Sequence, residues 1–326
     1  MKANLCEQWG GPETLLLKDI DLPEPGPRQV RIKVAAAGVN FPDVLIIQKK
    51  YQMQPQLPFS PGAEIAGTIS AVGSEVSGLK VGMPVAALCG IGGFAEECVV
   101  DAALCMPLPP GVPMVLAASL VLAYGTSWHA LRDRAALQAG ETVLVLGAAG
   151  GVGLAAVEIA KAIGAKVIAA ASTPEKLAVC REHGADEVID YTQEDLRERL
   201  KALTDGKGVD VVFDPVGGAY TEAAFRSIAW RGRHLVIGFA DGNVPALPLN
   251  LPLLKGASLV GVFWGEFAKR EPKANAAGVQ ELLGWIAQGQ LKPLVSKTYT
   301  LADAPQALID MAARKVVGKV VVVVRG

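Results

Sequence analysis

Residues 143–172, VLVLGAAGGVGLAAVEIAKAIGAKVIAAAS, join an apolar run, a glycine-rich turn and an alanine-rich segment without a break. A short apolar run that ends in glycine is typical of a buried strand, and the segment after the turn has the composition of a helix. The first backbone N–H groups of a helix lack partners within it, so a strand, turn and helix in this order can bind an anion. The stretch therefore predicts a site for a phosphate group.

The turn matches the G-x-G-x-x-G pattern of dinucleotide-binding folds with one change, because Ala148 occupies the first small-residue position. Gly150 would let the backbone approach a pyrophosphate, and Gly153 would let the helix pack closely on the strand. We expect Gly151 and Val152 to contact the same group. The strand before the turn and the helix after it give the motif the context it needs. A purely structural glycine turn is the alternative.

Strand and helix patterns alternate around this turn, between residues 123 and 262. Strands are predicted at 142–146, 166–170, 187–189, 209–213, 233–237 and 258–262, and helices at 151–163, 174–183, 193–203 and 220–228. Such alternation predicts a parallel, doubly wound sheet with helices on both faces.

The residues before and after this segment differ from it in composition and in hydrophobic pattern. Residues 1–122 are rich in proline, glycine and short β-branched runs, which predicts an antiparallel, barrel-like domain with strands at 29–34, 65–72 and 85–88. Helices at 276–288 and 305–313 precede a valine run at 320–324, which needs a sheet that buries both its faces. We therefore expect an α/β chain in which a nucleotide domain, 123–262, is inserted into a second domain, 1–122 and 263–326.

Composition excludes several classes of partner. The chain of 326 residues is 51% hydrophobic with a formal net charge of -1, so no electrostatic footprint for nucleic acid or an anionic membrane is present. The five cysteines are odd in number and contain no CxxC, which indicates reduced thiols. No apolar run suits a signal peptide or a membrane helix. A cytoplasmic protein without nucleic-acid or membrane partners is expected.

The end of the second predicted strand indicates which dinucleotide binds. NAD-specific sites usually carry an acidic residue there, whereas residues 169–172 read AAAS. Lys176 follows in the first turn of a helix, where a cation opposes the helix dipole. A bound 2′-phosphate would compensate for that unfavourable position, so the sequence favours NADPH over NADH. A solvated surface lysine is the alternative.

Several motifs together resemble the medium-chain dehydrogenase/reductase superfamily and, within it, the quinone oxidoreductase family. They are AAGVNFPD (36–43), PGAEIAG (61–67), AYGTSWHAL (123–131), GAAGGVGLAAVEIAKAIGA (147–165), GVDVVFDPVGG (208–218) and the final GKVV. The resemblance covers essentially the whole chain. It implies a GroES-like catalytic domain split around a Rossmann domain, NADPH as the cofactor, and a homodimer paired near residues 258–262.

Zinc alcohol dehydrogenases of the same superfamily carry a cysteine and a histidine where this chain has Asn40 and Ala63. A carboxamide is not a usual zinc ligand and alanine cannot ligate, so Glu64 alone would remain. Without a Lewis acid the oxidation of an alcohol is poorly supported, whereas an electron-poor acceptor can take a hydride directly. We therefore expect a zinc-independent enzyme that reduces a quinone. Alternatives are a reductase of α,β-unsaturated carbonyl compounds (2-alkenals, enones or enoyl thioesters) and a non-enzymatic NADPH sensor.

The resemblance also implies site residues. Asn40 and Thr126 would lie against the nicotinamide, while Tyr51, eleven residues after Asn40, would face the substrate; Tyr124 completes the expected catalytic set. Each has a plainer alternative, because Asn40 could turn the backbone and the others could simply pack. Tyr191 and Ser172 would lie near the adenosine phosphate. The residues expected at the ends of the last strands, towards the cofactor and acceptor, are Gly238, Phe239, Phe263 and Trp264.

Overall fold

The computed structural model describes residues 1–22 and 24–324. The strands are β1 (Lys2–Leu5), β2 (Leu16–Asp19), β3 (Gln29–Gly38), β4 (Glu64–Val72), β5 (Pro84–Leu88), β6 (Glu97–Asp101), β7 (Cys105–Pro107), β8 (Thr142–Leu146), β9 (Lys166–Ala171), β10 (Glu187–Asp190), β11 (Val209–Asp214), β12 (Ile228–Val236), β13 (Ser258–Gly261), β14 (Val295–Thr300) and β15 (Lys319–Val323). The helices are α1 (Phe41–Ile47), α2 (Met114–Ala117), α3 (Val121–Trp128), α4 (Gly151–Ile163), α5 (Pro174–Glu182), α6 (Leu196–Leu203), α7 (Ala219–Arg226), α8 (Asn250–Lys255), α9 (Trp264–Arg270), α10 (Pro272–Ala287) and α11 (Ala304–Ala312).

The chain divides into two units, Met1–Leu122 with Pro293–Gly326, and Ala123–Lys292. The first unit contains a seven-stranded sheet in the order β14-β15-β3-β4-β5-β7, with β6 also paired to β3. Its pairings are antiparallel except for β14 with β15. The terminal valine strand β15 pairs with β3, where Val322 faces Ala37, and it is buried on both faces. The expected return of this strand to the first unit is confirmed.

The second unit is built on a six-stranded parallel sheet in the order β10-β9-β8-β11-β12-β13. The order reverses between β8 and β11, and ligands of open α/β sheets bind beyond the carboxyl ends of the strands at such a switch point. The central strand β8 is apolar and fully buried from Val143 to Leu146, as a strand covered by helices on both faces must be. The α/β fold with a doubly wound sheet is confirmed.

The boundary after this sheet differs from the expected one, because residues 263–292 belong to the second unit rather than the first. Two glycines explain the difference. A Cβ at Gly125 of α3 would lie 2.9 Å from the ring of Trp264, and a Cβ at Gly278 of α10 would lie 2.7 Å from the ring of Trp128. These close contacts hold α9 and α10 against α3, a packing that linear sequence does not reveal.

Other differences are local. Strand β12 begins at Ile228, five residues before the predicted start at 233, because Trp230 and Arg231 make its first half look like a polar turn. The hairpin of β1 with β2 and the short helices α8 and α9 were not predicted. Within residues 1–22 and 24–324, no helix combines the length and the apolar character needed to cross a membrane.

Candidate functional site

The glycine-rich turn lies at the carboxyl end of β8, where α4 begins. Gly150 is the N-cap residue with an extended backbone, and Gly147 has a φ of 58°, which favours glycine. A Cβ at Gly153 would lie 2.3 Å from the carbonyl oxygen of Gly147, so glycine is required there for packing. A Cβ at Gly150 would meet only that same oxygen, at 3.4 Å. The open space above Gly150 and the helix N-terminus together fit the pyrophosphate of a dinucleotide.

Ser172 and Lys176, the residues predicted to bind the 2′-phosphate, lie side by side just after β9. Lys176 Nζ is 3.4 Å from Ser172 Oγ, and Thr173 caps α5 by accepting a hydrogen bond from the Lys176 backbone N–H at 3.3 Å. The cap holds the first turn of α5 in place, and the Lys176 side chain donates separately to Ser172. The pair offers one hydroxyl and one ammonium group to an anion.

Tyr191 follows β10 and forms an aromatic pair that the sequence did not reveal. Its ring centroid lies 4.4 Å from that of Tyr220 on α7, and the ring planes are inclined by 42°. Both side chains are partly buried. The only sequence signal for Tyr220 was its place two residues after the GVDVVFDPVGG motif, at the start of the predicted helix 220–228.

Tyr124 and Thr126 lie on α3 in different environments. Tyr124 is buried, and its hydroxyl donates to Glu158 Oε2 of α4 at 2.8 Å. Burial and the Glu158 carboxylate raise the pKa of Tyr124 well above its ordinary value. Its proton is thus held inside the unit, which favours the packing alternative over a catalytic role. Thr126 is half-buried, and its neighbour Ser127 donates to the Val152 carbonyl at 2.7 Å, which joins α3 to the phosphate-binding turn.

The three aromatic residues expected near the acceptor also differ in their exposure to solvent. Phe263 and Phe239 are exposed by 55% and 39%, whereas Trp264 is only 5% exposed. The Trp264 indole N–H donates to Asn275 Oδ1 at 3.0 Å, and its ring covers Gly125. Trp264 therefore packs α9 on α3, and its expected contact with the acceptor stays a prediction. Gly238 precedes Phe239 at the carboxyl end of β12 and is half-buried.

In the first unit, Asn40 belongs to a buried network of charges. Glu64 Oε1 accepts from Asn40 Nδ2 at 2.9 Å and from Lys319 Nζ at 2.7 Å. Lys319 also donates to Asn40 Oδ1, and Glu64 Oε2 accepts from the Leu122 backbone N–H at 2.9 Å. Both polar atoms of the Asn40 carboxamide are thus held by charged partners. We call Asn40, Asp43, Glu64 and Lys319 the buried charge cluster.

Lys319 was not singled out from the sequence, although it lies in the GKVV motif. It is 3% exposed and begins the otherwise apolar strand β15. Gly38 makes room for the cluster, because a Cβ there would lie 2.4 Å from Glu64 Oε1. A lysine at the start of a strand that must be buried was the available signal, since such an ammonium group needs a carboxylate partner.

Asp43, in the first turn of α1, completes the cluster. It is fully buried, and Asp43 Oδ2 accepts from the Asn40 backbone N–H at 2.8 Å. Burial raises the pKa of this carboxyl group to about 7, against the lowering effects of the Asn40 bond and of Lys319. Tyr51 is half-buried at the edge of the same core, and its pKa is raised by burial and by the charge of Asp43.

The positions of zinc ligands in related dehydrogenases hold Asn40 and Ala63. The neighbouring Glu64 already accepts hydrogen bonds from Lys319, Asn40 and Leu122. Across the part of the chain that the structure describes, no three His, Cys, Asp or Glu side chains are grouped so as to hold a metal ion.

Comparison with known proteins finds a matching domain family in each unit and relatives that span almost the whole chain. Residues 26–110 match the alcohol dehydrogenase GroES-like domain, and residues 151–280 match the family described as zinc-binding dehydrogenase. The quinone oxidoreductase-like protein 2 homolog of Nematostella vectensis is 40% identical over 98% of this chain and 88% of its own length.

Solved structures give the same result. Escherichia coli quinone oxidoreductase complexed with NADPH matches with a TM-score of 0.94 and 30% identity, covering 99% of this chain and all of that one. The CurK enoyl reductase matches with a TM-score of 0.87 and 29% identity, covering 99% of each chain. The chain therefore belongs to the quinone oxidoreductase family of the medium-chain dehydrogenase/reductase superfamily.

Proposed function

We propose that this protein is an NADPH-dependent oxidoreductase that transfers hydride to a quinone. The observation that carries the coenzyme assignment is the Lys176 ammonium group beside Ser172, at the end of β9, where an NAD-specific site would carry an acidic residue. A cation in the first turn of α5 opposes the helix dipole, and a bound 2′-phosphate would compensate for that position. The NADPH complex of the Escherichia coli relative supports the same assignment.

The residues of the second unit would hold the coenzyme in parts. Residues 148–153 would hold the pyrophosphate at the N-terminus of α4, Ser172 and Lys176 the 2′-phosphate, and Tyr191 with Tyr220 the adenosine end. Gly238, Phe239 and Phe263 would contact its other half. Bound NADPH supplies the hydride, and the protein supplies position and hydrogen bonds.

Zinc independence is part of the proposal. A hydride that reaches a quinone or a conjugated carbonyl places negative charge on an oxygen, which hydrogen-bond donors can stabilise without a metal. Glu64 is fully engaged by Lys319 and two amide groups, so its oxygens are poor candidates for ligation. We assign the donor role to Tyr51, with Thr126 and Asn40 positioning the nicotinamide. Activity should then survive exhaustive chelation, and tightly held stoichiometric zinc in elemental analysis would contradict the proposal.

The acceptor is tested by following NADPH oxidation with a quinone, an enone and an enoyl thioester. A quinone should give the highest kcat/KM. The second candidate, an enoyl-type reductase, is supported by the similarity to the CurK enoyl reductase and predicts the thioester as the best acceptor. Binding of NADPH without turnover of any acceptor would favour a sensor. Tyr51→Phe should lower turnover by roughly 10²–10⁴-fold if its hydroxyl delivers a proton in the transition state.

We also propose that the protein is a cytoplasmic homodimer. All five cysteines are free thiols, which suits a reducing compartment. Strand β13 ends its sheet, and the apolar side chains exposed around it and α8 form a surface that a second copy would cover. They are Val244, Leu249, Leu253, Leu254 and Leu259. Light scattering should give twice the chain mass, and Leu253→Glu should give the monomer.

A further inference from the structure

Asp214 joins three segments at the sheet's switch point. It is the last residue of β11 and is 3% exposed. Its Oδ1 accepts from the backbone N–H groups of Val216 at 2.9 Å and Gly217 at 2.8 Å. Its Oδ2 accepts from Thr221 Oγ1 of α7 at 2.6 Å and lies 3.1 Å from His234 Nε2 of β12. One carboxylate thus fixes the loop after its strand, the next helix and the neighbouring strand.

The hydrogen bonds keep this buried group ionised. Burial alone would raise its pKa, but the bonds from His234, Gly217 and Thr221 outweigh burial and hold the pKa of Asp214 below its ordinary value. Hydrogen bonds to an ionised group are stronger than those between neutral groups. The carboxylate is therefore well suited to hold a loop that has no regular structure of its own.

The loop that Asp214 holds, residues 215–218, adjoins the phosphate-binding turn. A Cβ at Gly147 would lie 2.9 Å from Val216 Cγ2, so the two loops are in contact. Gly217 and Gly218 have φ values of 71° and 60°, which bend the chain sharply. The loop is also bonded to the segment after β12, since Asp241 donates its backbone N–H to the Val216 carbonyl at 2.8 Å.

We propose that Asp214 is a positioning residue for the dinucleotide. It holds the loop of residues 215–218 in the conformation that forms one wall of the dinucleotide site, across the switch point from the phosphate-binding turn. This inference rests on the proposed function. Loops at the carboxyl ends of the two strands that flank a switch point enclose the ligand of an open α/β sheet. When a loop takes its binding conformation only part of the time, the apparent affinity falls by that fraction. Removal of the carboxylate should therefore weaken dinucleotide binding through the loop, although Asp214 itself would not contact the dinucleotide.

The same strand provides a matched control. Asp210, near the amino end of β11, accepts the Thr142 backbone N–H at 2.8 Å, at the opposite end of the strand from the loop that Asp214 holds. Asp214→Ala should weaken the binding of NADPH and NADH alike by about tenfold, since the wall faces the part they share, and should leave kcat at saturating NADPH close to wild type. Asp210→Ala should lower the melting temperature and leave both dissociation constants unchanged.

A second variant keeps the role of Asp214 testable if Asp214→Ala does not fold. Asp214→Asn keeps the shape and the acceptor for Val216 and Gly217 but loses the charge, so we expect a loss of about threefold in affinity. Coenzyme fluorescence titration and calorimetry supply the readouts. If both Asp214 variants bind the coenzymes as tightly as the wild type, or if Asp210→Ala loses as much affinity as Asp214→Ala, the proposed role of Asp214 is wrong while the proposed function stands. A wild type that binds neither coenzyme would instead overturn the proposed function.

Discussion

The phosphate-binding turn and the buried charge cluster are built in opposite ways. The turn consists of consecutive residues, 147–153, and offers backbone N–H groups and empty space. The cluster joins Asn40 to Lys319, which are 279 residues apart in the chain, and consists of buried polar and charged side chains that are at most 5% exposed. The phosphate-binding turn works because its glycines have no side chains, whereas the buried charge cluster needs every one of its side chains. The two regions should therefore fail under different changes.

The largest effect is expected when one charge of the cluster is removed. Lys319→Met leaves Glu64 buried without its ammonium partner, and breaking a buried ion pair on one side costs about 3–5 kcal/mol. Lys297→Met is the matched control on the neighbouring strand β14, because the exposed Lys297 side chain pairs with Asp310 in contact with water, so its loss should lower stability far less. Urea unfolding of both variants measures the difference. Equal losses would mean that the buried cluster is no more critical than a surface pair.

The cluster should also make stability depend on pH. The folded-state pKa of Asp43 is raised from 3.8 to about 7, so its contribution to stability is complete below about pH 4 and is lost as pH rises towards 7. The loss is on the order of 4 kcal/mol. Asp43→Asn cannot ionise and should lack this decline. The check is the difference in unfolding free energy between the two proteins, measured from pH 4 to pH 8. A constant difference would show that Asp43 does not titrate in this range.

The phosphate-binding turn should respond to an added methyl group instead. Gly153→Ala places a Cβ against the Gly147 carbonyl, and this overpacking should cost about 1–3 kcal/mol and displace the turn. Gly150→Ala, with its Cβ at ordinary contact distance, should keep wild-type stability but bind dinucleotide more weakly. Calorimetry and coenzyme titration separate the two effects. A stable Gly153→Ala protein with normal affinity would mean that the close packing of helix on strand is not needed.

This difference explains what the sequence predicted and what it did not. The turn, its flanking strand and α4 follow from local composition, and Ser172 and Lys176 follow from their position after β9. The link from Lys319 to Asn40 and Glu64 arises only when β15 pairs with β3, so the sequence shows that Lys319 needs a carboxylate partner but not which one. Trp264 resembled a pocket residue because it follows β13, but Gly125 and Asn275 provide a packing site that spacing does not show. The assignment of 263–292 to the other unit failed for the same reason.

The central claim, that the site is built for NADPH, is tested most directly by the dissociation constants of NADPH and NADH for the wild type and Lys176→Ala. A charge-assisted bond to the 2′-phosphate contributes about 1.5–3 kcal/mol, and each 1.4 kcal/mol is about tenfold in affinity. The wild type should prefer NADPH, and the variant should lose one to two orders of magnitude for NADPH on that basis while its affinity for NADH stays nearly unchanged. A wild type that prefers NADH, or a variant that loses both coenzymes equally, would contradict the account.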